Sequence, residues 1–357
     1  MKHFLKINTS KRLNVRDFET HAQKILSPQI FNFISGGAAD EFTLAENELC
    51  YKNLNLLPKI LRGVKKPDTT TELLGNTLNS PILIAPMAFQ NLIHPLGEEA
   101  TISAANKTQT PYIVSTFTTT PLSGIVESAI VPLWFQLYIL KDRDFTQDLI
   151  QKVERLGFKA LVLTVDVPVY GKRERELLAP LQEKFKLPEL ENVVNFPSPA
   201  AAFSALLDTN LTWDDVAWVK SITKLPIILK GVLREDDALR SLDCGVSALI
   251  LSNHGGRQLD TTPPAITVLP KIAEVINNKM DILIDGGIRR GTDIIKALAL
   301  GAKAVLIGRP ILWGLSIDGG NGVCEVLKLL ITEFEQAMIL CGCQNVDEIT
   351  RDLVLET

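Results

Sequence analysis

The chain has 357 residues, 46% hydrophobic and 22% charged, the balance of a folded globular protein, which excludes extensive disorder. A formal net charge of −4 excludes a general attraction to nucleic acid or to an anionic membrane, so any anion must be held by local basic residues. Five cysteines without paired spacing fit neither a disulfide framework nor a metal site, and they read as reduced structural residues of a cytoplasmic protein.

The N-terminal stretch MKHFLKINTSKRLNV lacks the apolar core of a signal peptide, and the terminal DLVLET is not a peroxisomal address. Val15–Leu26 carries apolar residues at helical spacing (Val15, Phe18, Ala22, Ile25), Ser27-Pro28 reads as the cap and first position of a second helix, and Gly36-Gly37 stops it. Residues 1–80 are therefore expected to form a helical segment ahead of the main body. From residue 81 short apolar runs recur between helical stretches: Pro81–Met87, Tyr112–Thr116, Leu133–Ile139, Ala160–Asp166, Pro226–Gly231, Ala248–Asn253, Asp281–Gly287 and Ala304–Arg309. Near-continuous Ile/Leu/Val runs are what parallel strands covered on both faces require. Eight of them alternating with helices predict an α/β chain folded as a closed (β/α)8 (TIM) barrel over 81–357, within a single domain spanning 1–357; a doubly wound open sheet is the competing arrangement. The uncharged run Thr108–Val126 is too rich in threonine and too broken by proline to span a membrane. Residues 167–225 exceed what one crossover helix needs, so a lid-forming insertion is expected after the fourth strand, with its middle, LPELENVVNFPSPAAAF, as loop. At the C-terminal end Val323, Val326, Leu327, Leu330, Phe334, Ala337 and Cys341 form one helical stripe that Gly342 closes.

In a barrel of this kind chemistry sits at the C-terminal strand ends. Here those ends carry Ala85-Pro86-Met87-Ala88, Ser115, Gln136 and Tyr138, Thr164-Val165-Asp166, Lys230, Ser252–Arg257, Asp285–Arg289 and Gly308-Arg309. The last two combine glycines, which let backbone N–H groups approach an anion, with Arg289 and Arg309, and so predict a phosphate site. His254, followed by Gly255 and Gly256 with Arg257 three residues on, is the candidate acid–base group, and Asp166 the candidate to orient its imidazole; a satisfied structural histidine is the plain alternative. Lys230 ends a buried apolar run, where a cation needs a partner or a chemical role. It could form a Schiff base, hold a phosphate, or stabilise a developing anion on a cofactor.

The strings SNHGGRQLD (252–260) and DGGIRRGTDIIKALALGAKAVLIGRP (285–310), with LTVDVPVYGKRE (163–174), FQLYILKDR (135–143), IAPMAFQ (84–90) and AENE (45–48), resemble the FMN-dependent 2-hydroxy acid oxidases, the family of glycolate oxidases, lactate oxidases and mandelate dehydrogenases. The resemblance runs from about residue 14 to about 350. It implies an FMN enzyme that oxidises a small 2-hydroxy acid, with O2 as second substrate and peroxide as product, assembled as a tetramer, with no metal. His254 is then expected to take the hydroxyl proton as the Cα hydrogen leaves to the flavin, with Asp166 supporting the imidazolium. Arg257 and Arg173 are expected to grip the substrate carboxylate and Tyr138 to hydrogen-bond the substrate oxygen. Lys230 is expected beside flavin N1. Pro86, Met87, Ala88, Ser115, Gln136, Tyr138, Thr164 and Ser252 are expected to cradle the ring, and Asp285, Gly286, Gly287, Ile288, Arg289, Gly308 and Arg309 to hold ribityl and phosphate.

Three departures bear on activity. Phe33 stands where relatives usually carry a carboxylate-binding tyrosine, which implies a lost hydrogen bond worth roughly 1.5–3 kcal/mol and lower efficiency. Met87 and Phe117 make a more apolar substrate pocket than in glycolate-specific plant members, favouring lactate or a longer acid. The stretch after Arg173, ERELLAPLQEKFKLP, lacks the usual arginine-asparagine pair, which puts lid closure in question. A dehydrogenase passing electrons to another acceptor, a non-redox barrel binding a phosphorylated metabolite, and a flavin-binding protein impaired in catalysis are the alternatives.

Overall fold

The computed structural model describes residues 12–181, 187–190, 196 and 198–356. Eight parallel strands close into a barrel: β1 Ile82–Ile84, β2 Tyr112–Ser115, β3 Leu133–Leu137, β4 Leu161–Thr164, β5 Ile227–Val232, β6 Ala248–Leu251, β7 Asp281–Ile284 and β8 Ala304–Ile307. Each neighbours the next in sequence and β8 pairs with β1, so the open-sheet alternative is excluded. The strands are buried on both faces, which explains why they read as continuous apolar runs. One residue set, including Leu83, Ile113, Trp134, Val162, Ile228, Ile250, Leu283 and Leu306, forms its own core cluster; alternate strand residues pack outward against the helices. A short hairpin, Thr71–Leu73 with Asn76–Leu78, adds Leu73 and Leu78 to the first cluster.

Ahead of the barrel lie α1 Val15–Ile25, α2 Pro28–Ser35 and α3 Phe42–Lys52. α1 starts at a capping box on Asn14 and buries Val15, Phe18 and Ala22; Ile25, expected on the same stripe, is half exposed because it lies in the last turn. Ser27 caps α2 through Ile30 N–H, and Gly36 ends it. The crossover helices are α4 Gly97–Thr108, α5 Leu122–Ser128 and α6 Arg143–Arg155 for the first three connections. The fourth holds α7 Glu174–Leu178, α8 Pro199–Leu206 and α9 Trp213–Ile222. After β5 come α10 Glu235–Asp243, α11 Ala265–Ile276, α12 Gly291–Ala299 and the long α13 Arg309–Cys341, broken at Asp318 and Gly319 and closed by Gly342 at φ 75°.

The insertion differs from expectation. Pro199–Leu206 is helical, where PSPAAAF was expected as loop: Ser198 caps it through Ala201 N–H and proline at its start is helix-compatible. A 3-10 turn, Pro188–Leu190, also falls within that stretch, while the lid residues 182–186, 191–195 and 197 lie outside the described residues. Leu207 bridges back to Leu140, so the end of α8 is held against the mouth beside β3. No described helix is long and apolar enough to cross a membrane. Docking of α1 rests on fully buried Phe18. Phe18→Ala is expected to cost about 3–5 kcal/mol of unfolding free energy, measured by denaturant titration; a cost below about 1 kcal/mol would show that α1 does not hold the barrel.

Candidate active site

The C-terminal strand ends open into one cavity enclosing about 1090 Å3 of non-atom space, its open mouth included. Its wall carries Pro86, Met87, Ala88, Ser115, Gln136, Tyr138, Thr164, Lys230, His254, Arg257, Asp285, Gly286, Gly287, Ile288, Arg289, Gly308 and Arg309, with Arg173 from the insertion and Phe33 from α2. Sequence-expected residues from all eight strand ends thus meet in one space.

The β6 loop aims His254 into the cavity. His254, Gly255 and Gly256 all take left-handed backbone, and a Cβ on Gly255 would stand 2.7 Å from an Arg309 guanidinium nitrogen. Asn253 pins the loop: its side-chain amide pairs reciprocally with that of Asn47 in α3 (2.8 and 3.1 Å) and accepts from Gly256 N–H. His254 Nδ1 lies 2.9 Å from Asp166 Oδ1. Burial lowers the imidazole pKa below its ordinary value, with Lys230 adding to that effect and Asp166 opposing it. Burial raises the Asp166 carboxyl, but the His254 and Lys230 charges outweigh this and hold it below the usual range. Above its lowered pKa the imidazole is neutral, and with its Nδ1–H donating to the Asp166 carboxylate, Nε2 is the ring nitrogen left to accept a proton.

Lys230 is aimed inward by a bulge at Gly231, where a Cβ would stand 2.5 Å from Asp166 Cβ. Its Nζ donates to Ser252 Oγ (2.9 Å) and pairs with Asp285 Oδ2 (3.3 Å). Burial disfavours its charge, but Asp285 and Asp166 prevail and its pKa is raised. Gln136 donates to Thr164 Oγ1 (3.1 Å) and accepts from Ser115 Oγ and Thr116 N–H, which fixes its amide orientation. At the far end Arg289 pairs with Glu48 (2.9 Å), and Arg309 donates to the Ile34 and Gly36 carbonyls. Burial, together with the Arg257 and Arg289 charges, lowers the Arg309 pKa strongly, so this corner favours an anion.

Two expectations are corrected. Phe117 does not line the cavity: it is fully buried behind it, stacked on Phe89 (5.7 Å) and against Phe203 (4.7 Å), because its loop folds inward over Glu98, which accepts from Thr119 and Thr120. Ser252 is also off the wall, buried as the common acceptor of Lys230 Nζ and His254 N–H. Sequence reasoning missed Phe203, which α8 presents to the cavity, and the partners Asn47, Tyr170 and Glu176. The AENE string held a signal for Asn47 and Glu48; the others become visible only once the insertion is folded.

Fold and site together define a (β/α)8 barrel whose C-terminal mouth gathers buried cations and an imidazole–carboxylate pair. The family model described as FMN-dependent dehydrogenase matches residues 22–356. The chain belongs to this family and is an FMN-dependent enzyme of the 2-hydroxy acid oxidase and dehydrogenase class. It is 44% identical to an L-lactate oxidase of Nostoc sp. over 95% of this chain and 97% of that protein. It is 42% identical to a peroxisomal (S)-2-hydroxyacid oxidase of Arabidopsis thaliana over 96% of each. Among solved structures it is similar to a mandelate oxidase with (S)-4-hydroxymandelic acid (TM-score 0.91, 35% identity, 96% of this chain and 98% of that one). A flavocytochrome b2 variant with pyruvate bound is similar too (TM-score 0.88, 37% identity, 98% and 88%).

The residues present fit FMN. Asp285 Oδ1 and Arg289 Nε are buried at the cavity without a hydrogen-bond partner, as groups awaiting a ligand are. Gly287 lies at φ 78° with its Cα so close to α3 that a Cβ would meet Asn47 O at 1.8 Å. Gly287→Ala is therefore expected to strip most of the FMN, read as the flavin-to-protein absorbance ratio; full occupancy would contradict this reading of the loop. With its pKa lowered, His254 stays neutral down to below pH 6.5. The acid limb of kcat/KM is accordingly expected below 6.5, and Asp166→Asn, which removes the charge that raises this pKa, should move the limb lower still and cut kcat by about 10²–10⁴. A pH profile breaking above 7 would refute the assignment.

Proposed function

We propose that the enzyme oxidises a small (S)-2-hydroxy acid with a short apolar side chain, lactate in preference to glycolate, to the 2-oxo acid, with O2 as the electron acceptor and hydrogen peroxide as product. The observation that carries this reading is the meeting of Arg173, Arg257, Tyr138 and His254 on one cavity wall beside Lys230, with Asp166 behind the wall on His254 Nδ1. The two guanidiniums present N–H forks matched to a carboxylate. His254 Nε2 takes the hydroxyl proton, and Asp166 stabilises the imidazolium that results. Burial, with the Asp166 charge, raises the Tyr138 pKa, so its phenol remains a hydrogen-bond donor to the substrate oxygen throughout the working pH range. Lys230, held charged by Asp285 and Asp166, is placed to balance negative charge on the cofactor. FMN, when bound, supplies the acceptor for the hydrogen and two electrons released from the substrate carbon.

The side-chain preference rests on Met87, Phe33, Phe89 and Phe203, apolar groups that line the cavity. Burying one methyl group against them is worth roughly 1–3 kcal/mol, or about 10–200-fold. Use of O2 is supported by the names of the relatives, which include L-lactate oxidase and (S)-2-hydroxyacid oxidase. The test is turnover of L-lactate and glycolate under air with peroxide measured. At least about tenfold higher kcat/KM for L-lactate, with one peroxide per 2-oxo acid, is expected. Glycolate equal to or better than lactate overturns the preference. Anaerobic flavin bleaching without peroxide under air overturns the acceptor.

A further inference from the structure

The two guanidiniums are held from behind by side chains that the catalytic steps do not use. Glu176, in α7, accepts at Oε1 from Arg173 (3.3 Å) and Arg257 (3.2 Å). Its other oxygen accepts from the Tyr170 hydroxyl at 2.7 Å. Arg173 in turn donates to Tyr170 Oη at 2.6 Å, and its guanidinium lies 4.0 Å from the centre of the Tyr170 ring. The hydroxyl is therefore both acceptor and donor in a closed circuit of Arg173, Tyr170 and Glu176, with Arg257 attached through the shared carboxylate oxygen. Phe33, on the other side of Arg257, offers a ring 5.4 Å away and a carbonyl at 2.7 Å but no hydroxyl.

Neither Tyr170 nor Glu176 lines the main cavity; both line an outer one, and Arg173 is common to the two. Glu176 thus backs the guanidiniums instead of filling the space of a substrate carboxylate. Backbone carbonyls also hold the pair, with Arg257 Nη1 donating to Phe33, Ile34 and Gly36 and Arg173 Nε to Arg257 O, but two buried like charges repel, and Glu176 is the carboxylate that touches both guanidiniums and offsets that repulsion. We propose that Tyr170 and Glu176 are positioning residues for substrate binding: their circuit locks Arg173 and Arg257 into a carboxylate clamp. This rests on the reading that the arginine pair binds the substrate carboxylate. Tyr170 also sets its ring edge 5.3 Å from Phe203, so the clamp and the apolar wall of the pocket are joined through the insertion.

The test uses purified FMN-loaded enzyme, L-lactate kinetics, and anaerobic titration with oxalate, a carboxylate that cannot be oxidised in this way, read by flavin absorbance. Tyr170→Phe is expected to raise the lactate KM and the oxalate Kd about tenfold while kcat stays within about threefold and FMN content is unchanged, the pattern of lost ground-state binding. Phe33→Tyr, which offers the substrate carboxylate a hydroxyl of its own, should lower KM by a larger factor in the Tyr170→Phe background than in the wild-type background, the non-additivity of groups that serve one carboxylate. Should Tyr170→Phe fail to fold, Glu176→Asp, whose shorter carboxylate cannot reach both guanidiniums, is expected to raise KM and oxalate Kd similarly. Unchanged KM and Kd in the foldable variant, or the same Phe33→Tyr factor in both backgrounds, overturns the inference alone. Wild-type enzyme that neither binds oxalate nor turns over any 2-hydroxy acid overturns the clamp itself, and this inference with it.

Discussion

Buried positive charge is the constraint around which this site is organised. Lys230, Arg173, Arg257, Arg289 and Arg309 all reach one cavity, in a chain whose formal net charge is −4. Taking a cation out of water is costly unless an anion accompanies it. The cost is visible in the guanidiniums themselves: burial and the neighbouring Arg173 charge bring the Arg257 pKa down to about 10, and Arg309 is pushed lower by burial and by Arg257 and Arg289. Four carboxylates offset part of it, Asp285 and Asp166 for Lys230, Glu48 for Arg289 and Glu176 for the Arg173–Arg257 pair. The remainder is what an anionic ligand sees.

That remainder is divided in space. Arg289 and Arg309 stand after β7 and β8, the usual phosphate corner of such barrels, while Arg173 and Arg257 stand by the insertion. The same cavity wall carries His254, its pKa lowered by burial and its imidazole backed by a carboxylate that favours the protonated form. In the proposed reading, a substrate carboxylate at one end and a cofactor phosphate at the other would bring the reacting carbon and the cofactor's ring together. Gln136, Ser115 and Thr164 supply a rigid, hydrogen-bonded wall on the side of β2–β4, which is how a strand-built site keeps its geometry.

The barrel was legible because its strands are covered on both faces, so burial alone writes them as Ile/Leu/Val runs; Ile82–Ile84 and Leu161–Thr164 could hardly be anything else. The cavity residues were legible because a polar or charged group closing such a run has few reasons to be there except function. What failed was tertiary in origin. Pro199–Leu206 looked like loop because Pro and Ser at its start also serve turns, and only its packing at the mouth makes it a helix with Phe203 inside. Phe117 was expected in the pocket from the resemblance to glycolate-specific relatives, yet its loop turns inward over Glu98 and hides the ring. The Asn47–Asn253 pair spans 206 positions, and Tyr170 and Glu176 sit in a segment whose contacts no local pattern announces.

The most direct measurement is a crystal structure of the FMN-loaded enzyme soaked with pyruvate. The pyruvate carboxylate is expected on Arg173 and Arg257, with the 2-oxo oxygen facing His254 Nε2 and the Tyr138 hydroxyl. A carboxylate seated instead at Arg289 and Arg309, or an oxo group turned away from His254, would contradict the division of charge on which the mechanism depends.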